Sequence, residues 1–444
     1  MEWERAVGTF VDASGRPGPA TWKAGTYPEG EADFPVGGVS WYEAAAYAAF
    51  AGKSLPTLYH WYRAADLRRL ADILTLSNFD DRGPAPVGRY RGLGPFGTYD
   101  MAGNVKEWCW NAVPDARRFL QGGAWDEGKY MFADADARGP FERAPEYGFR
   151  LAKYIRPVPE AVTAPIPIEE PRRHPLTKRP VSDEVFAVYR RQREYDATPL
   201  RAVIDSTEET ATWVKVAVEL DAAYGGERMR AYLFLPRTGS PPYQTVVFFP
   251  AGDAFVVRSS RDMSVNGVDF IIRSGRALLY PVYKGTYERT KADVNGANGE
   301  RDLEIAWSRD LGRAIDYLET RPDIDRTRLV FYGVSVGGET GAMLVALEPR
   351  LKAAVLQASG LSSEVPPDID PINYAPRVLV PTLMVNGKYD FGAPVETAQR
   401  PLFDLIGARD KTLRLLEFGH KLPTDAVAAE ILPWLDRHLG AVAR

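Results

Sequence analysis

The sequence predicts an α/β protein. A doubly wound, mostly parallel sheet fills its C-terminal part, behind a loop-rich α+β domain at the N-terminus. Three observations carry this prediction. Short apolar runs alternate with helical periods after about residue 200, a proline-rich stretch precedes them, and the first 155 residues are rich in Gly, Trp, Tyr and turn dipeptides. The 444 residues leave room for two or three domains, and 45% hydrophobic against 26% charged content is a globular balance. With 55 basic and 59 acidic residues the net charge is −4, which supplies no positive field for nucleic acid or an anionic membrane. Neither is an expected partner, and self-association stays open.

Taken in order, 41–50 (WYEAAAYAAF) reads as a helix opened by Ser40 and closed by Gly52. The first domain is expected over 1–155 and a linker over 156–196, because seven prolines between 156 and 180 forbid a continuous helix. Packing of this apolar-containing stretch across one domain face is the alternative. A second domain is expected over 197–444. Residues 213–235 alternate around Gly225-Gly226 and read as an antiparallel hairpin. Strands follow at 245–250 (TVVFFP), 277–283, 329–334 (LVFYGV), 353–357, 382–386 (TLMVN) and 413–418 (LRLLEF). Between them Leu303, Trp307, Leu311, Ile315 and Leu318 mark one face of a helix over 301–320, and 336–347 is apolar enough for a buried helix. Continuous apolar strands separated by helices belong to a parallel sheet covered on both faces.

Chemistry concentrates at Gly333-Val334-Ser335-Val336-Gly337, which follows a strand and precedes a helix. That context turns the serine into a nucleophile on a tight strand–helix turn, with the Val336 N–H aimed at a developing oxyanion. The alternative is a glycine-rich turn whose serine only caps the helix. A serine needs a base, and there are four histidines: His60, His174, His420 and His438. His438 lies in the periodic segment 431–439, whereas His420 follows the strand 413–418. Asp390 follows the strand 382–386 across a short turn; Asp368, Asp370, Asp404 and Asp410 have no strand before them. The chain order Ser335, Asp390, His420 is that of three successive strand ends supplying nucleophile, acid and base.

These residues resemble the α/β-hydrolase superfamily, and within it the dienelactone hydrolases and prolyl-oligopeptidase-like esterases, from about residue 197 to the C-terminus. The resemblance implies a serine hydrolase working through an acyl-enzyme, with no required cofactor. It also implies a second oxyanion donor in the loop 250–255 (PAGDAF). Asp253 N–H is preferred, with Gly252 as the alternate. Phe255, Tyr283 and Tyr287 are candidates for an aromatic cleft, against the ordinary reading of such residues as core or rim. The polar insertion 284–298 is expected to form a pocket wall.

In the first domain, Val39-Ser40-Trp41, 51–57 (AGKSLPT), 95–108 (PFGTYDMAGNVKEW), Gly122-Gly123-Ala124-Trp125 and Gly148-Phe149-Arg150-Leu151 are similar to the sulfatase-modifying, formylglycine-generating enzyme family. The fold that this implies is loop-rich and related to C-type lectins. The family's enzymes bind copper through a cysteine pair, but Cys109 is the sole cysteine here, and His60 the sole histidine of the domain. A non-catalytic structural or binding domain is therefore expected. Family members also hold calcium near the Asn-Val-x-Glu block, which makes Asn104 and Glu107 candidate ligands. Calcium's need for six or more oxygens favours a buried turn in their place. The pairing further resembles bacterial chains in which both domains follow a Ser/Thr kinase; no kinase motif stands in this sequence.

The acidic start Met1-Glu-Trp-Glu-Arg, the absence of any apolar run near ~18 residues and the lone thiol predict a cytoplasmic protein without leader or membrane span. The expected function is a serine esterase acting on a small-molecule or polymeric ester. A peptidase or amidase on the same triad, or a sensory or adaptor module with a ligand-binding N-terminal domain, are the alternatives.

Overall fold

Neighbouring residues of the central strands belong to opposite faces, and this alternation organises the C-terminal part of the chain. In a computed structural model, which describes residues 8–442 except 70–72, 81, 135, 168–176, 290–297, 362–363, 389 and 391, contacts divide the protein into two units, Met1–Glu170 and Pro171–Arg444.

In the first unit, α1 (Trp41–Phe50) begins as expected: Ser40 accepts the Glu43 N–H, and the Glu43 carboxylate returns a bond to the Ser40 N–H. Helix α2 (Leu58–Ala65) was not predicted; its cap is Thr57. A small sheet runs β3 (Asp136–Arg138), β2 (Arg118–Gln121), β1 (Lys106–Ala112), β4 (Tyr147–Gly148). Trp41, Leu55, Trp108, Leu120 and Tyr147 pack together into a core of this unit.

The proline-rich stretch is held at both ends rather than running free. Asn111 donates to the Val162 and Ala164 carbonyls, while α3 (Asp183–Arg191) buries Phe186 in the core of the second unit against Tyr374. Seven of the nine residues 168–176 between these anchors are polar or proline, and all nine, with His174 among them, lie outside the described residues.

The second unit is one nine-stranded sheet. Its strands are β5 (Val203–Glu209), β6 (Trp213–Asp221), β7 (Arg228–Pro236), β8 (Tyr243–Phe249), β9 (Ala277–Pro281), β10 (Ile324–Val334), β11 (Leu351–Gln357), β12 (Thr382–Gly387) and β13 (Lys411–Leu416). They lie in the order β13-β12-β11-β10-β8-β9-β7-β6-β5. From β13 to β9 every pairing is parallel, and the expected hairpin β6–β7 joins with β5 as an antiparallel flank.

Helices cover both faces. Phe331 of β10, Val247 and Phe249 of β8, and Ala354 and Leu356 of β11 face α5 (Gly299–Glu319) and α6 (Val336–Leu347). Their neighbours Val330, Tyr332, Val246, Phe248, Ala353 and Val355 face α4 (Asp269–Arg273) and α8 (Thr424–Leu439). Helix α5 buries Trp307, Leu311, Ile315 and Leu318, the predicted stripe. The doubly wound sheet of the sequence prediction is the one observed. Among the described residues no helix is long and apolar enough to cross a membrane.

Candidate active site at the carboxyl edge of the sheet

Strand β10 ends at Val334, and α6 starts at Val336, leaving Ser335 alone to turn the chain. Its φ of 54° with ψ of −110° is a left-handed conformation that a serine occupies at a cost of roughly 1–3 kcal/mol. The flanking glycines make that turn sterically possible. A Cβ on Gly333 would stand 2.0 Å from the Gly337 carbonyl oxygen, and one on Gly337 would stand 2.4 Å from that of Phe249. The end of β8 is thus pressed against the turn, in keeping with the register that pairs Phe249 with Gly333.

The three side chains singled out from the sequence meet here. Ser335 Oγ lies 2.8 Å from His420 Nε2, and His420 Nδ1 lies 2.8 Å from Asp390 Oδ2. A carboxylate only accepts, so Nδ1 carries the proton and donates it to Asp390; Nε2 is left to accept the Ser335 hydroxyl. Asp390 is buried, with no side-chain exposure, and its Oδ1 accepts the Ala393 N–H at 3.0 Å. The imidazole keeps 22% side-chain exposure, open enough for a proton to be exchanged with a bound molecule. Each group comes from its expected place: after β10, after β12 and after β13.

Two backbone donors were expected beside them. Val336 opens α6, whose first i→i−4 bond runs from the Glu339 N–H to the Ser335 carbonyl, so the Val336 N–H precedes the helical ladder. Asp253 lies in the single 3-10 turn Gly252–Phe255 directly after β8, and its carbonyl accepts the Val256 and Val257 N–H groups.

The aromatic cleft is corrected in part. Tyr283 is fully buried, stacked on Phe249 with centroids 4.1 Å apart, and its hydroxyl donates to the Phe248 carbonyl. Tyr287 is buried too, its hydroxyl 2.7 Å from that of Tyr280. Both are core because strand β9 and the turn after it run inside the fold, where a phenol finds a buried partner. Phe255 is half-buried against the edge of Trp307 and remains a lining candidate. Of the expected polar wall, 290–297 lies outside the described residues.

Three groups around the site were not singled out beforehand. Asn386, at the end of β12, exchanges two hydrogen bonds with the Ser359 backbone (3.1 and 2.7 Å), tying the loop after β11 to the strand that leads to Asp390. Gln399 donates to two carbonyls of the segment around Asp390. An amide side chain carries no signal of its own, so neither was legible. Glu304, on α5, accepts a 2.6 Å bond from Thr340 on α6, and burial pushes its carboxyl up to about 7. The Arg193 charge opposes that shift, while Glu300 and Glu339 add to it.

The metal candidates of the first unit do not fit a cation. Both oxygens of Glu107 receive Arg150, and Oε2 also receives the Trp61 indole N–H. Asn104 accepts from Asn78 and from the Ala85 N–H, and donates to the Ala85 carbonyl. Asn104 bonds backbone in a buried bend, whereas Glu107 stands in β1 and is held by side chains; among the described residues no group of three or more His, Cys, Asp or Glu is placed to hold a metal. Copper has no cysteine pair to bind it, and burial pushes the Cys109 thiol well above its ordinary range, away from the thiolate.

Comparison with known proteins finds a family match within the first unit. Residues 7–155 match the sulfatase-modifying factor enzyme 1-like domain family. The serine/threonine-protein kinase pkn1 of Chlamydia caviae is 31% identical over 160 aligned residues, covering 29% of this chain and 25% of the kinase. The uncharacterized peptidase YuxL of Bacillus subtilis is 27% identical over 204, covering 37% and 30%. The chain therefore spans about a quarter of the length of the kinases that it matches. Among solved structures, the acetyl xylan esterase of Paenibacillus sp. R4 aligns over 60% of this chain and 97% of its own at 18% identity, with a TM-score of 0.48. The residues that match this domain family are followed in this chain by a unit built on a doubly wound nine-stranded sheet, with a serine, a histidine and an aspartate bonded in line at its carboxyl edge.

Proposed function

We propose that the second unit is a serine hydrolase that cleaves carboxylic esters through an acyl-enzyme. The observation that carries this is the unbroken hydrogen-bonded line from Ser335 through His420 to Asp390, with the serine held in a strained turn. Such a line lets the hydroxyl attack an ester carbonyl while Nε2 removes its proton, and the buried carboxylate stabilises the resulting imidazolium. The Val336 and Asp253 N–H groups are assigned to the oxygen that gains charge. Collapse of the tetrahedral adduct releases the alcohol, to which His420 returns the proton. A water molecule, deprotonated by the same nitrogen, then frees the acid and restores Ser335.

Hydrolysis of p-nitrophenyl acetate and labelling by a fluorophosphonate are the test. Ser335→Ala is expected to abolish labelling and lower kcat by about 10⁴-fold or more at unchanged circular dichroism. A variant that keeps its activity refutes the assignment. The wild-type rate is expected to rise between about pH 5 and 8, where histidine gives up its proton.

The likeness to a protein named as a peptidase favours amide substrates as a second reading. Matched ester and amide series of one acyl group separate the two, since amide cleavage demands protonation of a poorer leaving group. The first unit is assigned a structural or binding role, its one thiol being buried and protonated.

A further inference from the structure

Asp390 must present one carboxylate oxygen to His420 from a loop, and a loop does not aim a side chain without something to brace it. The brace is visible in the side chain of Gln399. This residue is fully buried, and its amide nitrogen donates to the Gly387 carbonyl at 2.9 Å and to the Ala393 carbonyl at 2.7 Å. One accepting carbonyl lies three residues before Asp390 and the other three residues after it. Because both partners are carbonyls, the amide orientation is settled: only the NH2 end can serve both. Ala393 is gripped twice, since its carbonyl takes the Gln399 amide while its N–H donates to Asp390 Oδ1 at 3.0 Å. The other carboxylate oxygen then faces His420 Nδ1.

Local backbone structure brings Gln399 to this place. Residues Val395–Gln399 form a π-helical turn in which the Gln399 N–H reaches back to the Pro394 carbonyl, before α7 (Arg400–Leu405) continues as an ordinary helix. A widened turn of this kind displaces a side chain from the ordinary helical position.

We propose that Gln399 is a positioning residue for Asp390: its amide staples the two ends of the acid-bearing loop and so sets the carboxylate against His420. The inference rests on the hydrolytic reading of Ser335, His420 and Asp390. Without the staple the loop keeps its sequence but loses its aim, and small misplacements of a catalytic group cost up to about 10²-fold in rate.

Gln399→Met keeps the volume and removes the donor. Gln399→Glu keeps the shape and turns carboxylate oxygens toward the two carbonyls. Both are expected to lower kcat on p-nitrophenyl acetate by about 10- to 100-fold with KM within about twofold. Gln399→Met is also expected to move the acidic limb of the kcat/KM profile to lower pH, because an imidazole with a displaced carboxylate holds its proton less tightly. In an Asp390→Asn background, Gln399→Met is expected to cost less than about threefold further, as it acts through the carboxylate. An unchanged kcat in both single variants, or an equal loss with and without Asp390, overturns the positioning role. Failure of the hydrolytic reading looks different: wild-type protein then takes no fluorophosphonate at Ser335, whatever stands at position 399.

Discussion

A single backbone angle decides what Ser335 can do. With φ at 54°, the residue leaves its strand and enters its helix within one step, and its hydroxyl meets His420 instead of capping α6. The turn survives only because Gly333 and Gly337 admit carbonyl oxygens where a Cβ would stand. Gly333→Ala is therefore expected to destabilise the second unit by about 2–4 kcal/mol, or to open the turn and remove activity at retained secondary structure. Thermal unfolding together with fluorophosphonate labelling distinguishes these outcomes. A variant equal to wild type in both shows that the turn has room to spare.

Among the elements, α5 and α6 carry the sheet face beneath the site. Leu311 is 1% exposed in the core between α5 and the sheet, and Leu311→Ala is expected to cost about 2–5 kcal/mol, read from denaturant unfolding. The contact between the two helices is partly polar, through Thr340 and Glu304. A carboxyl raised to about 7 in the fold, above the ordinary value of 4.5, favours its neutral form there. Its stabilising contribution is complete below pH 4.5 and disappears as pH rises through about 7. Glu304→Gln mimics the neutral form at every pH. The variant is expected to match wild type near pH 4.5 and to melt about 2–6 °C higher at pH 8. A Tm difference that does not change with pH shows that Glu304 titrates in its ordinary range.

At the scale of the whole chain, Ser335, Asp390, His420 and the sheet that carries them all fall within Pro171–Arg444, as do α3 and its buried Phe186. A fragment of residues 171–444 is expected to fold and to hydrolyse p-nitrophenyl acetate with kcat within about threefold of the full chain, an estimate that follows from domains having their own cores. Loss of activity in a folded fragment assigns part of the site to the first unit. A fragment starting at 197 removes α3 and uncovers apolar surface around Tyr374, and is expected to be the less stable of the two.

Much of this fold is legible without coordinates. Buried parallel strands are continuous apolar runs, and a covered helix carries a 3.6-residue stripe, so β8 to β13, α5 and α6 stand out. The exceptions have local causes. All seven residues of β5 are exposed, so no apolar alternation marks it; backbone pairing with β6 and cross-strand charges such as Arg230–Asp205 hold it. By sequence Tyr283 and Tyr287 are candidates for a cleft against the more ordinary reading as core or rim, because a phenol serves in either, and their stacking and hydroxyl partners decide for the core.

The sequence by itself determined the central strands of the second unit with α5 and α6, their order in the chain and which serine, aspartate and histidine stand at strand ends, because local sterics and hydrophobic period are written in neighbouring residues. Tertiary structure alone decided the distances of 2.8 Å that join those three side chains, the capture of Glu107 by Arg150, and the grip of Gln399 on either side of Asp390. Each of these joins groups distant in sequence or buried by several elements at once. No local pattern encodes which polar groups a packed interior will bring within hydrogen-bonding reach.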